Sequence, residues 1–114
     1  NLGFAYNLPR DLHWNAFGYP MNLSKGKRMQ ICQASHAVDD PTWGVPNTMG
    51  MGCDLQGGSS GGPWVYRLRR GSYVNGTNSY GWWDQPEAMY GPYLTSEANG
   101  LRCLAATGGA STTC

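Results

Sequence analysis

The sequence is poor in charge, poor in histidine and without any long apolar run, and each shortage removes a class of function. Eight basic and seven acidic side chains in 114 residues leave a net charge of +1, so there is no one-signed field of the kind nucleic-acid binding needs. The one basic run, Arg67-Leu68-Arg69-Arg70, closes at Gly71 and reads as a solvated strand end and turn. No segment is apolar enough over a sufficient length to cross a membrane, so no membrane partner is expected. The chain opens at Asn1 without methionine or apolar leader, and a processed, secreted product is the expectation. With two histidines and no Cys-x-x-Cys spacing, neither a zinc site nor a redox centre is predicted, and no cofactor or metal is expected.

What is abundant is glycine and proline, 17 and seven residues respectively, which favours a β-rich, loop-rich fold over a helical bundle. One domain over residues 1–114 is the natural reading of this length. The four cysteines allow three full pairings. Cys32 and Cys53 flank a loop between two predicted strands, where a bridge would contribute about 3 kcal/mol by the chain-entropy estimate. Cys103 and Cys114 are the remaining pair, unless the terminal cysteine holds another chain. Either arrangement points to an oxidising compartment. Asn22-Leu23-Ser24 and Asn75-Gly76-Thr77 match the N-glycosylation acceptor pattern.

Alternation and turn residues predict about seven short strands: residues 2–6, 16–19, 28–31, 48–53, 64–68, 73–80 and 89–94, the last despite Pro92. Residues 11–15 read as a loop. So do residues 35–47, which hold Asp39, Asp40, Pro41, Gly44 and Pro46, and the aromatic-rich 81–87. Ser96 is the expected cap of a helical turn running to about residue 106, and residues 108–113 look flexible unless Cys114 is bridged. The pattern is all-β and suggests a single antiparallel β-barrel with a short C-terminal helical turn.

The most informative stretch is Gly57-Gly58-Ser59-Ser60-Gly61-Gly62-Pro63. Glycine is entropically costly in regular structure and proline lacks an N–H, so the stretch must be a tight loop. Glycines on both sides of a hydroxyl let backbone N–H groups approach a bound carbonyl and leave Ser60 clear of other side chains. That is the setting of a nucleophile.

Residues 53–65, Cys-Asp-Leu-Gln-Gly-Gly-Ser-Ser-Gly-Gly-Pro-Trp-Val, resemble the active-site segment of chymotrypsin-like serine peptidases, nearest to the secreted trypsin-like and glutamyl-endopeptidase-like branch of microbes. Gly18-Tyr19-Pro20 and residues 26–32 are similar to strands leading to it, and Asn78-Ser79-Tyr80-Gly81 resembles the strand on which the substrate backbone lies. The similarity spans roughly residues 1–94. It implies the second barrel of a two-barrel enzyme, with Ser60 as nucleophile and the N–H groups of Gly58 and Ser60 as the oxyanion hole. A side chain at Gly58 would be expected to crowd that pocket. It further implies that Ser79, Tyr80 and Gly81 line the primary pocket and pair with a peptide or protein substrate. Asp54, six residues before Ser60, would either be the base of the pocket, selecting Arg or Lys, or structure the loop, since glutamyl-specific relatives can also carry an aspartate at this spacing. Trp82 and Trp83 are assigned to the pocket rim or to packing on the barrel. Ser59 stands where trypsin has the aspartate that captures a new N-terminus, so that route to activation is closed.

The family draws its catalytic histidine and aspartate from the first barrel, and neither His13 nor His36 sits in the corresponding motif. The expected partner is therefore a second polypeptide carrying both, or the first barrel of an enzyme cut between its barrels and still associated. Two alternatives compete. Gly58-Ser59-Ser60-Gly61-Gly62 also fits Gly-x-Ser-x-Gly, but that elbow requires a helix after the serine, and Trp64, Val65 and Tyr66 predict a strand. The other is a non-catalytic secreted binding module, or an inactive protease homologue, on the same scaffold.

Overall fold

The computed structural model describes residues 1–114. Seven strands follow in chain order: β1 (Gly3–Phe4), β2 (His13–Gly18), β3 (Gln30–Asp40), β4 (Thr48–Gly52), β5 (Pro63–Tyr66), β6 (Tyr73–Thr77) and β7 (Ala88–Gly91), with one helix, α1 (Ser96–Ala106), at the end. They form one sheet in the order β1-β6-β5-β2-β3-β4-β7. Bridges from Gly76 to Tyr93 and from Tyr80 to Tyr90 bring the β6 side back to the β7 side. The Tyr80 amide donates to the Tyr90 carbonyl at 3.1 Å and the Tyr90 amide donates back at 2.8 Å. The sheet thus curls into a barrel, and every pair in its wall is antiparallel. The short β1 lies outside that wall and runs parallel to β6, which departs from the purely antiparallel expectation.

Two predicted loops are strand instead. Residues 13–15 belong to β2 because Trp14 and Ala16 are wholly buried anchors. Asn15, a turn former by habit, is satisfied across the sheet: its amide donates to the Val65 carbonyl at 3.1 Å and its carbonyl accepts from Gln33 at 2.8 Å. Such bonds replace the local ones that would make asparagine favour a turn. β3 likewise runs on to Asp40, where Pro41 stops it. Its last residues pair with β4, and both aspartates are fully engaged, Asp39 by Arg10 and His36 and Asp40 by Tyr80, Trp82 and the Thr42 amide.

The core gathers Trp14, Ala16, Met49, Met51, Cys53, Leu55, Trp64 and Met89. The Trp14 and Trp64 rings lie 6.4 Å apart, tilted, and the unbranched methionines fill the irregular space around them. Cys32–Cys53 and Cys103–Cys114 are both bridged, with Cα separations of 5.6 and 5.5 Å. The second bridge ties the last residues to buried Cys103 of α1, which spans the expected residues, with Thr95 rather than Ser96 at its N-cap position and no side-chain capping bond.

The two glycosylation matches differ: the fold closes the one at Asn75, while Asn22 is exposed with its side chain bonded to the serine loop. Asn75 is wholly buried, and its side-chain oxygen accepts from the Leu8 amide. Asn22 donates to the Asp54 carbonyl at 2.8 Å and accepts from the Gln56 amide at 3.1 Å.

Candidate active site

The loop between β4 and β5 is fixed from beneath by one residue, Asn78, which is 2% exposed. Its side-chain amide donates to the carbonyls of Phe17 (2.8 Å) and Ser59 (3.0 Å), and its side-chain oxygen accepts from Trp64 Nε1 at 2.8 Å. On the backbone, Asn78 donates to the Gly62 carbonyl and accepts from the Gly61 amide, both at 2.8 Å. All of this side chain's usual bonding capacity is spent on holding the loop. From the other flank the Met21 amide donates to the Gly57 carbonyl at 2.7 Å.

The two serines differ in environment. Ser59 is 3% exposed and its hydroxyl donates to the Gln56 carbonyl at 2.7 Å, which makes it a brace of the turn. Ser60 is exposed, and its hydroxyl bonds to nothing within the chain. The amides of Gly58 and Ser60 also have no partner in the chain, whereas those of Ser59, Gly61 and Gly62 are all satisfied. Two free N–H groups beside a free hydroxyl form a site able to accept an oxyanion.

Glycine is required here for reasons beyond the pocket. Gly58 has a φ of +97°, and a Cβ on it would stand 2.8 Å from the Tyr19 carbonyl, behind the loop and not in the cleft, as crowding of the pocket would require. At Gly62 a Cβ would lie 1.8 Å from the Phe17 carbonyl oxygen.

Beside Ser60 opens a cleft of about 460 Å³, lined among others by Ser79, Tyr80, Gly81, Trp82 and Trp83, with Leu55, Ala88 and Met89 below. Ser60, Ser79, Tyr80 and Gly81 are thus brought together. The Ser79 carbonyl and both backbone groups of Gly81 are unpaired, so they present a short open edge. Trp82 and Trp83 both border the cleft, and Trp83 is 98% exposed.

Asp54 is not brought in. It is exposed and does not line the cleft, and Asn22 fastens its carbonyl to the outer side of the loop. Leu55, the next residue, faces the cleft instead. A carboxylate that no local pattern singles out is Asp40, 7% exposed. It accepts from the Thr42 amide at 2.9 Å, the Tyr80 hydroxyl at 2.7 Å and Trp82 Nε1 at 2.9 Å. Hydrogen bonds from Thr42 and Tyr80, with a further one from Trp82, hold its carboxyl well below the usual carboxylate range. Burial, with Asp40 beside it, pushes the Tyr80 hydroxyl up. Neither histidine reaches Ser60: His13 lies 3.5 Å from the Ser35 hydroxyl, and His36 contacts Asp39 at 2.9 Å.

This barrel, whose β4–β5 loop presents a free serine beside unpaired amides and a cleft, has a chymotrypsin-like serine protease fold. The likeness to particular solved structures is close. A thermostable serine protease, AL20, from an extremophilic microorganism superposes with a TM-score of 0.79 at 36% identity, over 93% of this chain and 48% of that one. The protease Anisep from Arthrobacter nicotinovorans gives 0.76 at 33% identity, over 97% of this chain and 49% of that one. The chain therefore spans about half the length of these neighbours. No protein-family model and no curated protein matches it.

Proposed function

We propose that this chain is the C-terminal, serine-bearing barrel of a secreted serine endopeptidase, with Ser60 as nucleophile and the Gly58 and Ser60 amides as oxyanion hole. The single observation that carries the reading is the free Ser60 hydroxyl at the edge of the cleft, in a loop where the Gly58 and Ser60 amides are both unbonded. Two disulfides and the absence of any helix able to cross a membrane accord with an oxidising, extracellular setting.

In the proposed reaction the Ser60 oxygen attacks the scissile carbonyl carbon while a base takes the hydroxyl proton. The carbonyl oxygen becomes an oxyanion facing the two amides, each worth about 3–4 kcal/mol to the transition state. Collapse breaks the C–N bond, and the amine leaves with the proton held by the base. Water then repeats the sequence on the resulting ester and releases the acid. The open edge at Ser79 and Gly81 suits an extended substrate backbone.

Neither His13 nor His36 lies near Ser60, so the base and its orienting acid must come from outside the described residues. A second barrel, on a longer chain or a separate polypeptide, supplies both in this reading. Loss of the base alone costs about 10⁶ in turnover, so these 114 residues by themselves would be nearly inert. A preference for Arg or Lys, expected from Asp54, has no support from the cleft, since no carboxylate lines it.

The test is fluorophosphonate labelling of the native preparation, followed by peptide mass mapping. An adduct on Ser60, absent in Ser60→Ala, is the expected result. An intact protein that remains unlabelled, or an adduct on another serine, rejects the proposal and favours a binding module. Because all four cysteines are bridged within the chain, native against denaturing intact mass shows whether a second polypeptide is bound.

A further inference from the structure

We infer that the cleft beside Ser60 admits an uncharged side chain, aromatic or large aliphatic, on the acyl side of the scissile bond, and discriminates against Arg, Lys, Asp and Glu. The inference rests on the proposed function and adds the class of substrate. It starts from what lines the space: among the cleft residues there is no acidic and no basic side chain. Its floor is the barrel core itself, since Leu55 and Met89 are both members of the central cluster and are 3% and 5% exposed.

The walls gain their apolar character from Asp40. Tyr80 and Trp82 each carry a polar end, and both ends are turned to the same carboxylate, at 2.7 and 2.9 Å. The Tyr80 oxygen also lies 2.6 Å from the Thr48 hydroxyl, which donates to it. With hydroxyl and indole N–H occupied behind the wall, what these two residues can offer a ligand is ring surface. The rings are held against each other, 5.7 Å apart and edge to face, and Tyr80 also stacks on Tyr90 at 5.2 Å.

The nearby charges do not alter this. Asp40 has its oxygens taken by Thr42, Tyr80 and Trp82, while Asp54, Asp84 and Glu87 are exposed and line no part of the cleft. An Arg or Lys side chain entering would shed water without meeting a counter-charge, and a Glu would find no cation; both are costly. A phenyl, phenol or isobutyl group meets Leu55, Met89 and the Tyr80 and Trp82 rings, and the polar residues of the lining, Gln56, Gln85 and the serines, are all uncharged. Gly57, Gly81 and Ala88, the smallest residues of the lining, leave room for the larger rings.

The experiment uses the native preparation on matched fluorogenic peptides that differ only in that one residue, alongside fluorophosphonate labelling. Phe, Tyr, Leu or Met is expected to give kcat/KM at least about 100-fold above Arg, Lys or Glu, with the ranking unchanged in Asp54→Asn. Labelling at Ser60 together with preferred cleavage after Arg, Lys or Glu overturns the inference and leaves the protease reading standing. Absence of both labelling and cleavage overturns the protease reading. In that case, binding of acetylated tripeptides ending in Phe or Arg, followed by tryptophan emission, decides the pocket: tighter binding of the Arg peptide overturns the inference, and tighter binding of the Phe peptide supports it.

Discussion

Replacing Asn78 by alanine tests whether one buried amide sets the geometry of the serine loop. The substitution removes side-chain bonds to Phe17, Ser59 and Trp64. The Ser59 carbonyl still accepts from the Gly62 amide at 3.1 Å, so it is not orphaned. Trp64 is wholly buried and its indole N–H has no other partner, so it bears the full desolvation cost, about 1–3 kcal/mol. With about 1 kcal/mol for each of the other two bonds, the loss comes to about 3–5 kcal/mol. That corresponds to roughly 15 °C in Tm for a domain of this size. Because the same bonds place Ser59, and hence Ser60, activity should fall further than stability explains; a misplacement of about 1 Å costs on the order of 100-fold. Asn78→Asp separates the contributions: it keeps an acceptor for Trp64 but sets a carboxylate against two carbonyl oxygens, so it should be no better than alanine. Denaturant unfolding of the native preparation, with fluorophosphonate labelling rates at a temperature where both proteins are folded, reads both effects. An Asn78→Ala protein within about 0.5 kcal/mol of wild type, labelled at an unchanged rate, would refute the reasoning.

Gly62→Ala should not yield folded protein at ordinary expression temperature, because the added carbon would meet the Phe17 carbonyl oxygen at 1.8 Å; a soluble variant with wild-type Tm contradicts this. Ser59→Ala should retain Ser60 labelling while losing about 1 kcal/mol with its bond to Gln56, measured by denaturant midpoint. Removing the Cys32–Cys53 bridge by a double serine substitution should cost about 3 kcal/mol, read the same way. The depressed Asp40 carboxyl contributes stability that is present above its unfolded value of 3.8 and is lost as the pH falls through the lower folded value. Acid unfolding curves of wild type and Asp40→Asn should therefore converge below pH 3.8 and separate above it; curves that stay parallel across that range reject the assignment.

The loop was readable because it contains only residues that nothing but a loop can use, and the strands at residues 48–53 and 64–68 because large apolar residues cluster in them. β2 and the second half of β3 were not. Asn15, Asp39 and Asp40 favour turns by local chemistry, and what holds them extended are partners distant in sequence: Val65, Gln33, Arg10, Tyr80 and Trp82. The same blindness affects the site. Ser60, Ser79, Tyr80 and Gly81 meet at the cleft as the resemblance implies, but Asp54 was assigned by counting residues back from the serine. Counting does not reveal that Asn22 draws that segment outward and leaves Leu55 facing in. Asn78 adjoins a recognised stretch, yet its role depends on what lies beneath the loop, which no local pattern encodes.

Asn78 stands immediately before the segment that borders the cleft, and all its bonds run back towards the loop and none forward to residues 79–88. Attack and selection are consequently built as separable parts of one ribbon. An engineer could recast positions 82–88 to welcome a different guest while the hydroxyl and its two amides keep their places, whereas a change at Asn78 would strike the serine loop first.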